Sequence, residues 1–397
     1  MPGATLQLAG VGAHDTYLTA TPELNHFKYR YFRYVNFATE VVPLVFSEGG
    51  GFGKKFTAEI PYRGHFLSKL FLKIRLPRLQ KIDGEFVCWT DSLGYALINT
   101  AELEINGGVV DRLYGYFLDM HDEFTTGNLD TGKRNMILKS DVFISTRNNA
   151  KDDIELIVPL DFWFSKQLNL SLPLFLINTS RFRVNFNFRK FSEVIHWDGT
   201  IPPEEPLLDV ELFGEYLYLD DTLLDTLRGD RSYLIEQTQF NEIDQIAANS
   251  SSYISELKFN YNVKELIFGF VEEGSLDNND LFNFSRRSDN LSLLQSATLL
   301  IDGQERFPSL PESYLRLAFP KGVHSYVPSK YIYCIPFCAK PEMNQPSGSL
   351  NFGSYTSIAL SLKMRNGNDV CKMFTFAISY NLFRISNGVP YLEFVFT

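Results

Sequence analysis

Apolar and polar residues alternate with period two along much of the chain, the mark of strands with one buried face. At residues 70–76 the apolar positions are Leu70, Leu72, Ile74 and Leu76. Later they are Phe182, Val184, Phe186 and Phe188, with Arg181, Arg183, Asn185 and Asn187 facing the other way. Tyr253, Ser255, Leu257, Phe259 and Tyr261 form a third set, and Ile358, Leu360, Leu362 and Met364 a fourth. These sets predict half-buried strands of antiparallel sheets. Helical periodicity is scarce. Residues 221–234 have room for a helical turn or two, and the aromatic stretch 27–34 for another.

One phrase is written twice. AELEING begins at Ala101 and ATLLIDG at Ala297, 196 residues apart; Leu70 and Leu266, each in an upstream strand-like run, have the same separation. Downstream the order holds while the offset shrinks. Pro159 answers Pro336, an offset of 177; Phe182, Val184 and Phe186 answer Ile358, Leu360 and Leu362 at 176; Tyr216 answers Tyr380 at 164. The offset changes only between strands, as expected if loops vary and strands do not. The Asx-Gly that closes each phrase suits a tight turn with positive φ. The pattern predicts two tandem copies of one β-domain. The boundaries are an N-terminal segment 1–30, a first domain 31–220, a linker 221–230 and a second domain 231–397. Long connections, such as that from Leu76 to Ala101, favour a jelly roll over an up-and-down meander.

Composition supports an all-β chain. There are 35 Phe and 20 Tyr among 397 residues, and such rings suit pleated, half-buried surfaces. The formal net charge of −10 argues against a protein that works by neutralising nucleic-acid phosphates, so no direct nucleic-acid contact is expected. Cys88, Cys334, Cys338 and Cys371 are too few for a disulfide scaffold of this size. Cys334 and Cys338 lie four residues apart on a strand-like run, roughly 13 Å, too far for a bridge. All four are expected to be reduced and buried. The N-terminus lacks the basic start and apolar core of a signal peptide, and no apolar run reaches membrane-span length. Synthesis and folding in the cytosol are expected, and the Asn178 and Asn290 glycosylation triplets then read as chance.

Several stretches imitate catalytic or binding motifs. SEGGGFGKK (residues 47–55) lacks the spacing of a phosphate loop, has Lys55 where Ser or Thr is required, and leads into a strand-like run. It reads as an inter-strand loop. The six histidines, His14, His26, His65, His121, His196 and His324, show no metal-ligand spacing. The acidic run with Asp119, His121, Asp122 and Glu123 reads as a polar loop or short helix leaving a strand. No catalytic constellation, metal site or cofactor site emerges, and no enzyme is expected. One stretch stands apart. Lys28, Arg30 and Arg33 lie among Phe27, Tyr29, Tyr31, Phe32, Tyr34 and Phe37, with no acid between Glu23 and Glu40. These three cations are the candidate inner-face or inter-subunit contact.

Longer phrases carry a resemblance. The opening GAHDTYLTATPELNHFKYRYFRYVNFA (residues 12–38), ELEINGGVVDRLYGYFLDMHDEFT, VPLDFWFSKQLNLSLPLFLI, LDDTLLDTLRGDRSYLIEQTQ, FCAKPEMNQPSGSLNFGSYTSIALSL and YNLFRISNGVPYLEF follow one another nearly end to end. Together they resemble the double jelly-roll major capsid proteins of the nucleocytoplasmic large DNA viruses, of the chlorella-virus and iridovirus kind. The resemblance implies two eight-stranded antiparallel jelly rolls with short helical segments in loops and linker. It implies homotrimeric, pseudo-hexagonal capsomers tiling an icosahedral virion shell, assembled in the host cytoplasm. Neighbouring capsomers, minor capsid proteins and the inner viral membrane are the implied partners. Within the family the alternative is a minor or vertex paralogue, since FGSYTS and the run after LDD depart from the usual phrases. Outside it, the alternative is a carbohydrate-binding β-sandwich.

Overall fold

A computed structural model of the chain describes residues 2–80, 82–127, 130–140, 150–177 and 180–395. The Asn178 triplet lies outside the described residues. The chain divides into two compact units, Met1–Phe37 and Ala38–Thr397.

The first unit carries two short helices, α1 (Gly3–Ala9) and α2 (Ala13–Thr19), and neither buries a residue. The Gly12 amide donates to the Asp15 carboxylate at 3.0 Å, which starts α2. Residues 27–34 are not helical, against expectation. Bulky rings lose rotamer freedom in a helix, and here they form no apolar stripe that would compensate.

Among the described residues, sixteen strands lie on the main paths of four sheets, the first of them starting at the boundary between the units. The first eight are β1 (Phe37–Leu44), β2 (Lys55–Ile60), β3 (Phe66–Leu76), β4 (Ile98–Ile105), β5 (Gly108–Tyr114), β6 (Ile154–Pro159), β7 (Phe182–Phe188) and β8 (Asp209–Leu219). They form two sheets, in the orders β1-β8-β3-β6 and β2-β7-β4-β5. The next eight are β9 (Arg231–Phe240), β10 (Ser252–Glu256), β11 (Asn262–Glu272), β12 (Leu294–Ile301), β13 (Gln304–Glu305), β14 (Ile332–Pro336), β15 (Ile358–Met364) and β16 (Cys371–Ser386). Their orders are β9-β16-β11-β14 and β10-β15-β12-β13, with short strands such as Asp244–Ile246 and Val389–Leu392 added alongside. Adding eight to each label of the first pair of sheets reproduces the second pair. The repeated spacing in the sequence is a repeated topology.

The doubled phrase has a structural cause. Ala101 and Ala297 sit on the corresponding strands β4 and β12. The following turns hold Asn106 and Gly107 at φ 52° and 89°, and Asp302 and Gly303 at 46° and 78°, a conformation open to Gly and tolerated by Asn and Asp. Each Asx side chain also reaches the chain entering the neighbouring strand. Asn106 Oδ1 accepts from the Arg181 amide at 2.9 Å, beside the start of β7. Asp302 Oδ1 accepts from the Thr356 and Ser357 amides at 2.8 and 2.9 Å, beside the start of β15.

The alternating sets face the cores as expected. Leu70, Leu72 and Ile74 of β3 share a core with Ala58, Val184 and Phe186 of the opposite sheet. Leu266, Phe268 and Phe270 of β11 meet Leu299, Leu360 and Leu362. One expectation is corrected and one is met. The strand predicted over 253–261 stops at Glu256, where the Asn241 and Gln239 side chains take up backbone groups of Glu256, Lys258 and Asn260 that a sheet partner would otherwise pair; Leu257 and Phe259 stay buried, and Tyr261 turns to φ 63° before β11. The helical turn or two expected within 221–234 is present as Asp221–Leu227 (here α4), and residues from Arg231 on are strand. Gly229, at φ 102°, separates the two. Residues 47–54 are a loop leading into β2, as read. All four cysteines are free and buried; Cys334 lies within β14 and Cys338 past its end.

Candidate assembly surfaces: the seam and the N-terminal segment

Helix α3 (Gly115–Thr125) leaves β5 and carries the acidic run. A Cβ at Gly115 would lie 2.2 and 2.4 Å from the Ile98 and Tyr95 carbonyl oxygens, so only glycine lets the helix start this close. The run is not a solvated surface. Asp119, Asp122 and Glu123 are buried and matched by lysines from distant segments. Lys139 Nζ lies 2.7 Å from Glu123, 3.0 Å from Asp122 and 3.8 Å from Asp119. Lys133 reaches Asp122 at 2.7 Å. Lys330, which immediately precedes the β14 region, reaches Asp119 at 2.7 Å, and the Ser329 amide and hydroxyl donate to Glu123 at 2.9 and 2.7 Å. Burial alone would raise the Glu123 carboxyl, but Lys139 and Lys330 outweigh it and hold the group at about 2. Burial would likewise lower the Lys139 ammonium, yet its carboxylates keep it well above the ordinary lysine value.

A second charged group lies alongside. Glu236 of β9 is held by Lys166 at 2.5 Å and by Lys264 of β11. His324 is bracketed by Glu265 at 2.9 Å on Nε2 and Glu342 at 3.3 Å on Nδ1. Aromatic rings close the rest of the seam. Tyr116 stacks on Phe374 at 4.0 Å, and Phe376 meets Phe240, Phe117 and Tyr114 at 4.8, 5.5 and 5.7 Å. Thr90 Oγ1 donates to the Asn279 carbonyl at 2.7 Å, and Asn279 Nδ2 returns bonds to Ser192 and Ile195. Segments on either side of α4 are thus joined by packed rings and paired buried charges within one compact unit.

Lys28, Arg30 and Arg33 lie in the irregular part of the first unit, all exposed. The Arg30 guanidinium sits 5.8 Å from the Phe32 ring centre, and Tyr29 and Tyr31 meet edge-on at 4.8 Å. The rings of Phe27, Tyr29, Tyr31, Phe32 and Tyr34 are each at least 82% exposed. Among the described residues, no group of three His, Cys, Asp or Glu side chains is placed to hold a metal, and no helix is long and apolar enough to cross a membrane.

Two family models divide the chain where its topology repeats. The model for the N-terminus of major capsid proteins matches residues 25–220, and that for the large eukaryotic DNA virus major capsid protein matches 226–390. The chain belongs to the major capsid proteins of large eukaryotic DNA viruses. It is 28% identical over 421 residues to the major capsid protein of Pyramimonas orientalis virus, covering 99% of this chain and 100% of that one. The major capsid protein of Paramecium bursaria Chlorella virus 1 is 26% identical over 397 residues, covering 91% and 87%. In fold, the chain is similar to one in a quasi-atomic model of the PBCV-1 virus capsid, with a TM-score of 0.82, 23% identity and coverage of 94% and 100%. The architecture is therefore a double jelly roll, and the role of this capsid protein is structural, in the virion shell. The acidic run, which resembles acid–base machinery in the sequence, serves a shell protein as an internal fastening. Reading the sequence missed the lysines that complete it. Lys139 and Lys330 stand far apart in the chain, and nothing in their own surroundings marks either one as buried.

Proposed function

We propose that three copies of this chain form a pseudo-hexagonal capsomer that tiles an icosahedral shell. The observation that carries this reading is the pair of like-ordered jelly rolls fused into one block. Three such blocks around a three-fold axis present six similar wedges, and closed cyclic assembly is a common oligomer symmetry. In this reading the rolls span 31–220 and 231–397, joined by the linker 221–230, with the N-terminal segment 1–30 ahead of them. Neighbouring capsomers and minor capsid proteins meet the block's sides, in particles assembled in the host cytoplasm. The negative balance of the chain fits a protein that does not touch the genome directly.

The segment with Lys28, Arg30 and Arg33 is assigned to the inner face, toward minor proteins or the inner viral membrane. Its support is composition and exposure: three cations, no acid between Glu23 and Glu40, and exposed rings suited to an amphipathic interface. Reversing all three charges to Glu is expected to abolish shell assembly or membrane docking while circular dichroism stays that of the parent. Normal assembly of that variant removes the assignment.

Light scattering after size exclusion tests the capsomer. A mass three times 45.5 kDa is the expected result. A five-fold mass would indicate a vertex protein instead, and a stable monomer would overturn self-assembly of the isolated chain.

A further inference from the structure

Residues 340–346 run across the surface beside the seam and are pinned from below by two buried side chains, His324 and Lys264. Glu342 accepts from the Ser325 amide at 2.6 Å and from its hydroxyl, and it faces His324 Nδ1 at 3.3 Å. One residue on, the Met343 carbonyl accepts from Lys264 Nζ at 3.1 Å. The other imidazole nitrogen meets Glu265 at 2.9 Å. The His324 and Glu265 side chains are both fully buried. The segment forms one wall of a groove of about 310 Å³, through Met343 and Pro346; the opposite wall includes Gln167, Asn169, Ser232 and Leu234.

We propose that residues 340–346 are a latch over the seam, closed while His324 carries its proton and released when the imidazole loses it. An imidazole with a carboxylate on each nitrogen donates to both only as the cation. Charge balance points the same way. Lys166, Lys264 and protonated His324 face Glu236, Glu265 and Glu342, with Asp161 and Asp111 also near Lys166; loss of the His324 proton removes one of the three cations and adds to the excess of carboxylates. The excess is relieved most readily by Glu342, the partly exposed member, which moves into water and takes its segment with it.

One other group of the cluster titrates in this range: burial raises the Asp111 carboxyl, near Lys166, to about 7, and its ionisation adds to the same negative excess. From β11, Glu265 and Lys264 face the imidazole region, and from α3 the Phe124 ring stacks on it at 4.8 Å. His121, also on α3, is pushed well below its ordinary value by burial and by Lys166. Burial raises the thiols of Cys334 and Cys338, and raises Tyr380 to about 12, so all three stay neutral. For His324 itself, burial acts to lower the value, but the bond to Glu265 and the charges of Glu265 and Glu342 outweigh it and raise the group above 6.5. The sign follows. The latch holds below pH 6.5 and is lost as the pH climbs through the raised value. Burial lowers Lys264, so the second pin weakens in the same direction.

Pulsed hydrogen exchange read by mass on the peptide spanning 340–346 tests this in the full chain, with rates corrected for intrinsic base catalysis. Protection is expected to fall about tenfold or more between pH 6 and pH 9, the scale of one charge-assisted bond. His324→Gln should be unprotected at pH 6 and flat with pH. Glu342→Gln, at a partly exposed position that leaves the core packed, should also lose protection at pH 6 with unchanged circular dichroism. If His324→Gln does not fold, Glu342→Gln decides the matter. Protection that is flat with pH in the parent chain overturns the latch, as does parental protection in Glu342→Gln.

Discussion

Lys139→Met will destabilise the fold by about 3–5 kcal/mol, the usual cost of stripping a buried ion-pair network of one partner. The methionine keeps most of the volume and the apolar stem, so little of the loss comes from packing. What is lost is the cation that Glu123, Asp122 and Asp119 share. Denaturant midpoints at neutral pH measure the effect. A loss below about 1 kcal/mol, the level of an exposed ion pair, would mean that water reaches these carboxylates. Acid gives a second, independent reading. Glu123 falls from an ordinary 4.5 to about 2 in the fold, worth about 3 kcal/mol by linkage. Because the folded value is the lower one, that stability is complete above pH 4.5 and drains away as the pH drops towards 2. Much of it depends on Lys139. The gap between parent and variant must therefore narrow as the medium is acidified; a gap constant from pH 7 to pH 3 would detach Glu123 from Lys139.

What was legible in the sequence was periodic. Strands with one face in a core repeat every second residue, so Phe182 to Phe188 and Ile358 to Met364 declare their buried faces directly. The doubled Asx-Gly phrase was legible because its turn needs positive φ, which few residues tolerate. The rest depended on tertiary partners. Asp119, Asp122 and Glu123 have the composition of a solvated turn, and only Lys139, Lys133 and Lys330, brought in from elsewhere, make burial affordable. His324 has no motif at all, because Glu265 and Glu342 converge on it from a strand and a loop. The stretch 27–34 failed in the opposite way. Aromatic density was read as helix, but without an amphipathic stripe or a cap the segment has nothing to nucleate it.

Phe376→Ala will cost about 3–5 kcal/mol, and the loss will fall on both jelly rolls together. Phe376 belongs to β16 in the second roll, yet two of its ring partners, Tyr114 and Phe117, come from β5 and α3 of the first. The cavity left by the ring therefore opens on both sides of the seam. If the seam fuses the rolls into one cooperative block, calorimetry of the parent chain shows a single transition, and the variant shows a single transition at lower temperature. If the rolls are independent, the variant splits the trace, with the first roll melting near the parental temperature and the second below it. The distinction bears on the shell. A capsomer wedge that resists shear across its own midline needs its two halves to unfold as one. The rings and buried charges between the rolls supply that coupling without a covalent link beyond the chain itself, since all four cysteines are free. Two separated transitions in the parent chain would remove the seam as the source of rigidity and shift that burden to contacts between neighbouring copies.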